Sequence, residues 1–228
     1  MKIRFPLAGL VLLTLTACSG GDREGSVFVE LAANTQEIVA RKAADRAQAA
    51  RPPVTRAVLD TLEGSFVEVT LERTGQRAYL AANAVRFDAS PGEIVQWRTE
   101  DDVTLTTRGG VLVATRGLGG HLISADVAVD GARGGPAGAG GRTLFVRTGD
   151  LEEATLPLTC DVKDQGRTAI SIVEQVHQVR YVVERCEAAD GGQVTYEYWI
   201  DSRDPIIWQA REWAGPHIGY LKIRRVTR

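Results

Sequence analysis

Apolar and polar residues alternate with a period of two at the first clear element of this chain. In Phe66-Val67-Glu68-Val69-Thr70-Leu71-Glu72, the residues Val67, Val69 and Leu71 fall on one side and Glu68, Thr70 and Glu72 on the other. That is the pattern of a half-buried strand. The same reading predicts strands at 77–81, 94–99, 103–107, 111–116, 143–148, 168–173, 178–185, 193–200, 206–212 and 220–226. Turn signals fall between many of them: Thr74-Gly75, Ser90-Pro91-Gly92, Arg108-Gly109-Gly110, Asp190-Gly191-Gly192 and Arg203-Asp204-Pro205. Short strands at roughly ten-residue spacing with such punctuation predict an antiparallel meander, closed as a sandwich or a barrel. The clearest hairpin runs from Thr104 through Arg108-Gly109-Gly110 to Thr115.

Two stretches depart from the strand pattern. Thr35 to Ala50 is rich in Ala, Arg, Gln and Glu, good helix formers, and is followed by Arg51-Pro52-Pro53. A helix is predicted there, ended by the prolines, because a residue before proline avoids helical dihedrals. Residues 131–141, GARGGPAGAGG, read as a flexible low-complexity loop. Its end, Gly141-Arg142-Thr143, superficially matches a phosphate-binding loop. Pro136 stands where the first glycine is required, however, and a strand follows where a helix should.

The N-terminus has a different character. Lys2 and Arg4 precede an apolar run from Phe5 to Leu15 and then Leu15-Thr16-Ala17-Cys18. This is a basic n-region, a short h-region and a small residue before a cut, the layout of a secretory signal. The run is shorter than the ~20 residues that a membrane span requires. Leu15-Thr16-Ala17-Cys18 resembles a bacterial lipobox, which implies cleavage before Cys18 and acylation of its thiol. The expected organisation is a signal peptide at 1–17, a lipidated tether at 18–34 and one β-rich domain at 35–228. Acyl chains contribute about 0.8 kcal/mol per buried methylene, so several chains give stable anchoring. Ser19 follows the cysteine in place of an aspartate, which favours the outer membrane and its periplasmic face.

Composition adds bounds rather than detail. With 27 basic and 29 acidic residues the formal net charge is −2, more negative once Lys2 and Arg4 are removed, and nothing in it points to nucleic acid. Cys160 and Cys186 are the two other cysteines, and in an oxidising compartment a disulfide is the default expectation. It would close a loop of about 26 residues and stabilise by roughly 3 kcal/mol. His121, His177 and His217 are scattered without metal-ligand spacing, so no metal site is expected. Ser124 lacks a nucleophile elbow. Asp101-Asp102 and Glu152-Glu153 are adjacent pairs that a strand would point to opposite faces. Neither supplies a catalytic constellation, and no cofactor motif is present. Trp97, Trp199, Trp208 and Trp213 offer faces for stacking on sugars or anchoring a protein partner, against the plainer reading of core packing.

The run from Ile94 to Leu122, with Trp97, Leu105-Thr106-Thr107-Arg108-Gly109-Gly110-Val111-Leu112-Val113 and Thr115-Arg116-Gly117-Leu118, resembles the YjbF/GfcB family of group 4 capsule lipoproteins. The ending Tyr198-Trp199-Ile200-Asp201, then Trp208-Gln209-Ala210-Arg211-Glu212-Trp213-Ala214-Gly215-Pro216, is similar to the closing strands of that family. Gly110-Val111 in place of Arg-Ile and Glu212 in place of Gln depart from the pattern, and 131–141 looks like an insertion. The resemblance covers roughly residues 35–226. It implies a non-catalytic outer-membrane lipoprotein of exopolysaccharide or capsule secretion, working beside a large β-barrel protein of the YjbH/GfcD type. Among the matched positions, Trp97, Arg108, Arg116, Trp199, Trp208, Arg211 and Trp213 are the candidates for binding that partner or the polysaccharide itself. Gly109, Gly117, Gly215 and Pro216 are expected at turns. A polysaccharide-binding module is the alternative reading, and an enzyme acting on glycan the least supported.

Overall fold

The structure, a computed structural model, describes residues 54–147 and 152–228. The predicted helix at 35–50, the tether and Cys18 lie outside the described residues. A single turn of helix, α1 (Arg56–Leu59), leads into twelve strands. These are β1 (Phe66–Leu71), β2 (Arg77–Arg86), β3 (Ile94–Arg98), β4 (Thr104–Arg108), β5 (Val111–Arg116), β6 (His121–Val127), β7 (Gly140–Arg147), β8 (Glu153–Ile172), β9 (Gln175–Ala188), β10 (Gln193–Asp201), β11 (Ile207–Trp213) and β12 (Tyr220–Arg225).

All twelve form one antiparallel sheet in the order β5-β4-β3-β2-β1-β12-β11-β10-β9-β8-β7-β6. Each strand pairs with its neighbour in sequence, except that β1 pairs with β12 and a seam is left between β5 and β6. The meander therefore curls into a nearly closed barrel. The seam is bridged by a side chain: Leu122 N on β6 donates to Thr115 Oγ1 on β5 at 3.0 Å. Closing edges in this way removes a template for unwanted strand pairing.

Alternation builds the interior. Along β10, Tyr196, Tyr198 and Ile200 are buried, and along β12 Leu221 and Ile223 are buried, while their neighbours are half-exposed. These side chains join Val67, Leu80, Trp97, Leu105 and Leu144 in the main core. A second apolar cluster lies apart from it: Leu59 of α1, Ile172 and Val179 of the β8–β9 hairpin, Trp208 and Val226. The hairpin is long, and a bulge at Asp164–Arg167 marks where its pairing register shifts. Its tip turns through Val173 and Glu174, both at positive φ (40° and 68°). Cys160 and Cys186 are directly opposed on β8 and β9 and form the disulfide, buried in the main core.

The loop at 131–141 differs from the expected flexible segment. Gly134, Gly135 and Pro136 are buried, Val129 bridges to Pro136, and Asp130 N donates to Gly135 O at 2.9 Å. Asp130 Oδ1 accepts from Ala132 N and Arg133 N, which fixes the turn. Glycine here serves close approach rather than freedom. A Cβ on Gly134 would sit 2.9 Å from Pro205 O, and one on Gly135 would sit 2.7 Å from Ile200 Cδ1.

Candidate functional site

Among the described residues, chemistry-bearing side chains gather in the sealed interior of the barrel and around a cavity at one end. Arg142 on β7 is 1% exposed and points into the core with Glu184 on β9 and Glu212 on β11. Its Nη2 donates to Glu184 Oε2 at 2.8 Å and to the Tyr198 hydroxyl at 3.0 Å. That hydroxyl donates in turn to Glu212 Oε2 at 3.0 Å. The guanidinium carbon lies 3.9 Å from the centre of the Tyr196 ring. Glu212 also accepts from Leu112 N with both oxygens at 3.0 Å, so it satisfies a backbone donor on the seam strand β5.

The electrostatics follow from burial. Desolvation works against the charge on Arg142, but Tyr198, Glu184, Tyr196 and Glu212 outweigh it and hold its pKa above the ordinary value. Burial raises Glu212 to about 7 against the opposing pull of Arg142, and raises Glu184 as well. Two carboxylates facing one cation cannot both ionise cheaply in such a medium. The cluster is sealed from solvent, so its chemical role is to hold β5, β7, β9, β10 and β11 in one arrangement.

The cavity is at the end of the barrel where the β2–β3, β4–β5, β6–β7 and β10–β11 loops meet. It encloses about 300 Å³. Inward-facing Val67, Val95 and Trp97 reach it from below, and Phe87, Glu93, Asp130 and Arg225 stand around it. Trp97 donates its indole N–H to Thr107 Oγ1 at 3.0 Å. Arg225 uses Nε on Thr227 O and Nη2 on Ser65 Oγ, both at 3.2 Å. Burial lowers its pKa, while Glu93 favours the charge. Phe87 is 76% exposed at the lip.

The loops that frame the cavity are locked together. Arg108 makes a two-point bond to Asp88, Nη1–Oδ1 at 2.8 Å and Nη2–Oδ2 at 2.6 Å, which holds Asp88 well below the usual carboxylate range. Gly109 N donates to Glu93 O at 2.8 Å. Gly92, at φ 85°, leaves no room for a side chain, since a Cβ would lie 2.9 Å from Gly109 N.

The residues singled out from sequence are spread over the molecule rather than gathered. Trp97 (4% exposed) and Trp208 (6%) are buried, so neither presents the open face expected of a stacking platform. Trp208 donates its indole N–H to Asp201 Oδ2 at 2.8 Å and stacks on His177 at 3.8 Å. Trp199 is half-buried and stacks on Tyr181 at 5.0 Å. Trp213 is half-buried and packs against the main core. Arg211 binds Glu72 (Nε–Oε1 2.9 Å) and lies 3.7 Å from the centre of the Tyr220 ring. Arg116 is exposed at the end of β5. Of the expected turn residues, Gly109, Gly117 and Gly215 have positive φ, and Pro216 is exposed in the β11–β12 turn. Trp97 and Gly109 line the cavity and Arg108 braces it; the others lie elsewhere.

Sequence reasoning missed Arg142, Glu184 and Glu212, and also Phe87, Glu93, Asp130 and Arg225. Tyr196-Glu197-Tyr198-Trp199-Ile200 showed a two-residue alternation, which is the one signal that placed Tyr196 and Tyr198 on a shared face. Arg142 shares a strand face with Leu144 and Val146, a two-residue spacing that marks it as inward only once the strand is extended back past Thr143.

A family model described as "Group 4 capsule polysaccharide lipoprotein gfcB, YjbF" matches residues 32–226. Among solved structures, the hypothetical lipoprotein YmcC from Escherichia coli (K12) is similar with a TM-score of 0.64 at 16% identity, over 80% of this chain and 93% of that one. At that identity the likeness shows the fold. No curated protein matches the chain in sequence.

Proposed function

From the premise that this chain belongs to the YjbF family of group 4 capsule polysaccharide lipoproteins, we propose that it is a lipid-anchored, non-catalytic accessory factor of exopolysaccharide or capsule secretion. In this reading Cys18 carries the anchor, the anchor lies in the outer membrane, and the β-domain faces the periplasm. There it binds an outer-membrane β-barrel protein of the export machinery.

The observation that carries the reading is the family match over nearly the whole chain. The architecture supports it. The polar groups gathered inside the barrel are sealed in a structural network, as a scaffold requires and an active site does not. Among the described residues no helix is long and apolar enough to cross a membrane, which leaves attachment in this proposal to the acylated N-terminus.

Extraction of the acylated protein from its own envelope in mild detergent, followed by mass spectrometry, tests the partner. Co-elution of a large outer-membrane β-barrel protein is expected. Elution of the lipoprotein alone, at a detergent level that preserves other envelope complexes, would remove the adaptor role. A second reading, direct binding of polysaccharide, is favoured by one observation, the mixed polar and aromatic cavity at the barrel end.

A further inference from the structure

The end cavity has features that core packing does not require. Its walls combine an apolar floor with three charged side chains whose hydrogen-bonding capacity is only partly used. Arg225 engages Nε and Nη2 within the fold, and Nη1 makes no hydrogen bond among the described residues. Glu93 accepts for the fold through its backbone carbonyl, and its carboxylate makes none there. Asp130 uses Oδ1 on the loop turn, leaving Oδ2. All three residues are half-buried, so these unused atoms face the cavity opening, where water or a ligand can meet them.

The cavity is also preformed. The Arg108–Asp88 bond, the Gly109 N–Glu93 O bond and the glycine contacts at Gly92, Gly110 and Gly134 fix its rim without a ligand. A Cβ on Gly110 would come within 2.8 Å of Ile207 Cδ1, so the β4–β5 turn is pressed onto the start of β11. A fixed rim lowers the ordering cost of binding. At about 300 Å³ the cavity lies at the small end of ligand sites, with room for a compact occupant.

We propose that this end cavity, between Phe87, Glu93, Trp97, Asp130 and Arg225, binds one neutral pyranose unit of the secreted polysaccharide. This rests on the capsule reading above and names the ligand of the secretion factor. One guanidinium donor and two carboxylate acceptors suit vicinal hydroxyls, which donate and accept at once. The same set, carrying one more negative than positive charge, disfavours a uronate or phosphate-bearing sugar. Phe87 at the lip supplies an aromatic face for the apolar side of the ring, and its exposure leaves that face free.

The test uses the full-length lipoprotein in detergent and surface polysaccharide from the producing cell, fragmented and separated into neutral and anionic oligosaccharides. Titration calorimetry reads binding. The neutral fraction is expected to bind, with Glu93→Gln and Phe87→Ala each weakening it about tenfold, and with Val176→Ala, at an exposed position of the β8–β9 hairpin away from the cavity, leaving it unchanged. Phe87→Ala removes an exposed side chain and keeps the fold, so circular dichroism of that variant separates lost binding from lost structure. Absence of neutral binding, preference for the anionic fraction, or affinity indifferent to both variants would overturn the proposal. If cells lacking the protein lose surface polymer while the purified protein binds no oligosaccharide, the accessory role stands and the cavity site falls. If such cells keep their polymer, the accessory role falls and takes the cavity proposal with it.

Discussion

Arg142 holds one positive charge against two buried carboxylates, and that imbalance governs what its neighbours do with pH. Glu212 has an ordinary pKa of 4.5 when unfolded and about 7 when folded, raised by burial. Below the first value both states hold the proton. Between the two, the unfolded chain releases it and the folded chain keeps it, so this group makes stability fall as pH rises across that window and adds no slope above it. Glu212→Gln keeps an acceptor for Leu112 N and for the Tyr198 hydroxyl and removes the proton. Its urea midpoint is therefore expected to vary less between about pH 5 and about pH 8 than that of the parent, and an identical slope in both would show that Glu212 does not titrate there. Arg142→Met removes the cation and leaves Glu184 and Glu212 uncompensated. A loss of about 3–5 kcal/mol is expected in denaturant unfolding at neutral pH, the size seen when one partner of a buried pair is deleted. A loss below about 1 kcal/mol would place the cluster in contact with water. None of this was legible in the sequence. Arg142 follows two glycines at the end of a low-complexity run, and only the curl of the sheet carries it to Glu184 and Glu212, 42 and 70 positions later. Glu212 drew notice as a departure from a family pattern, and its pairing with Leu112 N depends on a contact 100 residues away.

At the level of elements, the alternation read from the sequence located most strands to within a few residues, because each of those strands buries one face. The hairpin of β4 and β5 and the strands β10 to β12 belong to this group. Two pieces escaped. β6 reads His-Leu-Ile-Ser-Ala-Asp-Val, with Leu122 its one buried residue, so its pattern is weak. The first half of β8 does alternate, with Ala154, Leu156, Leu158, Cys160 and Val162 on the inner face, but Pro157 in the middle of the run argues against a strand. The glycine loop was misjudged for a physical reason: low complexity removes side chains that build a core, but it also allows backbone to pack on backbone, as at Gly134 and Pro205. The β8–β9 hairpin supports two predictions. Glu174 sits at φ 68° in its tip, a conformation glycine adopts without steric cost. Glu174→Gly is expected to raise stability by about 0.5–1 kcal/mol, and a decrease in thermal midpoint would show that the side chain has a role the turn needs. Cys160→Ser is expected to lower stability by roughly 3 kcal/mol under oxidising conditions. An unchanged midpoint would mean that the bridge leaves the folded state unsupported.

For the whole molecule, an up-and-down barrel closed through β1 and β12 brings the two ends of the domain together, with Val226 N donating to Phe66 O at 3.0 Å. Four loops from distant parts of the chain meet at the other feature this topology creates, the braced cavity of about 300 Å³. A braced domain of this kind suits the proposed role of holding something in place near a membrane. The resemblance of Leu15-Thr16-Ala17-Cys18 to a lipobox was the plainest motif in the sequence, because such a motif depends on a few adjacent residues and not on folding; it lies outside the described residues. Of the cavity, only Trp97, Arg108 and Gly109 were singled out from sequence, because Phe87, Glu93, Asp130 and Arg225 share no local pattern. The central claim is that this anchored domain is required for the polymer to reach the cell surface. It is tested most directly by quantifying surface polysaccharide in cells lacking the protein, complemented with the parent chain or with Cys18→Ala. The account predicts loss of surface polymer on deletion, recovery with the parent, and no recovery with the unanchored variant. Undiminished polymer in the deletion strain would contradict it.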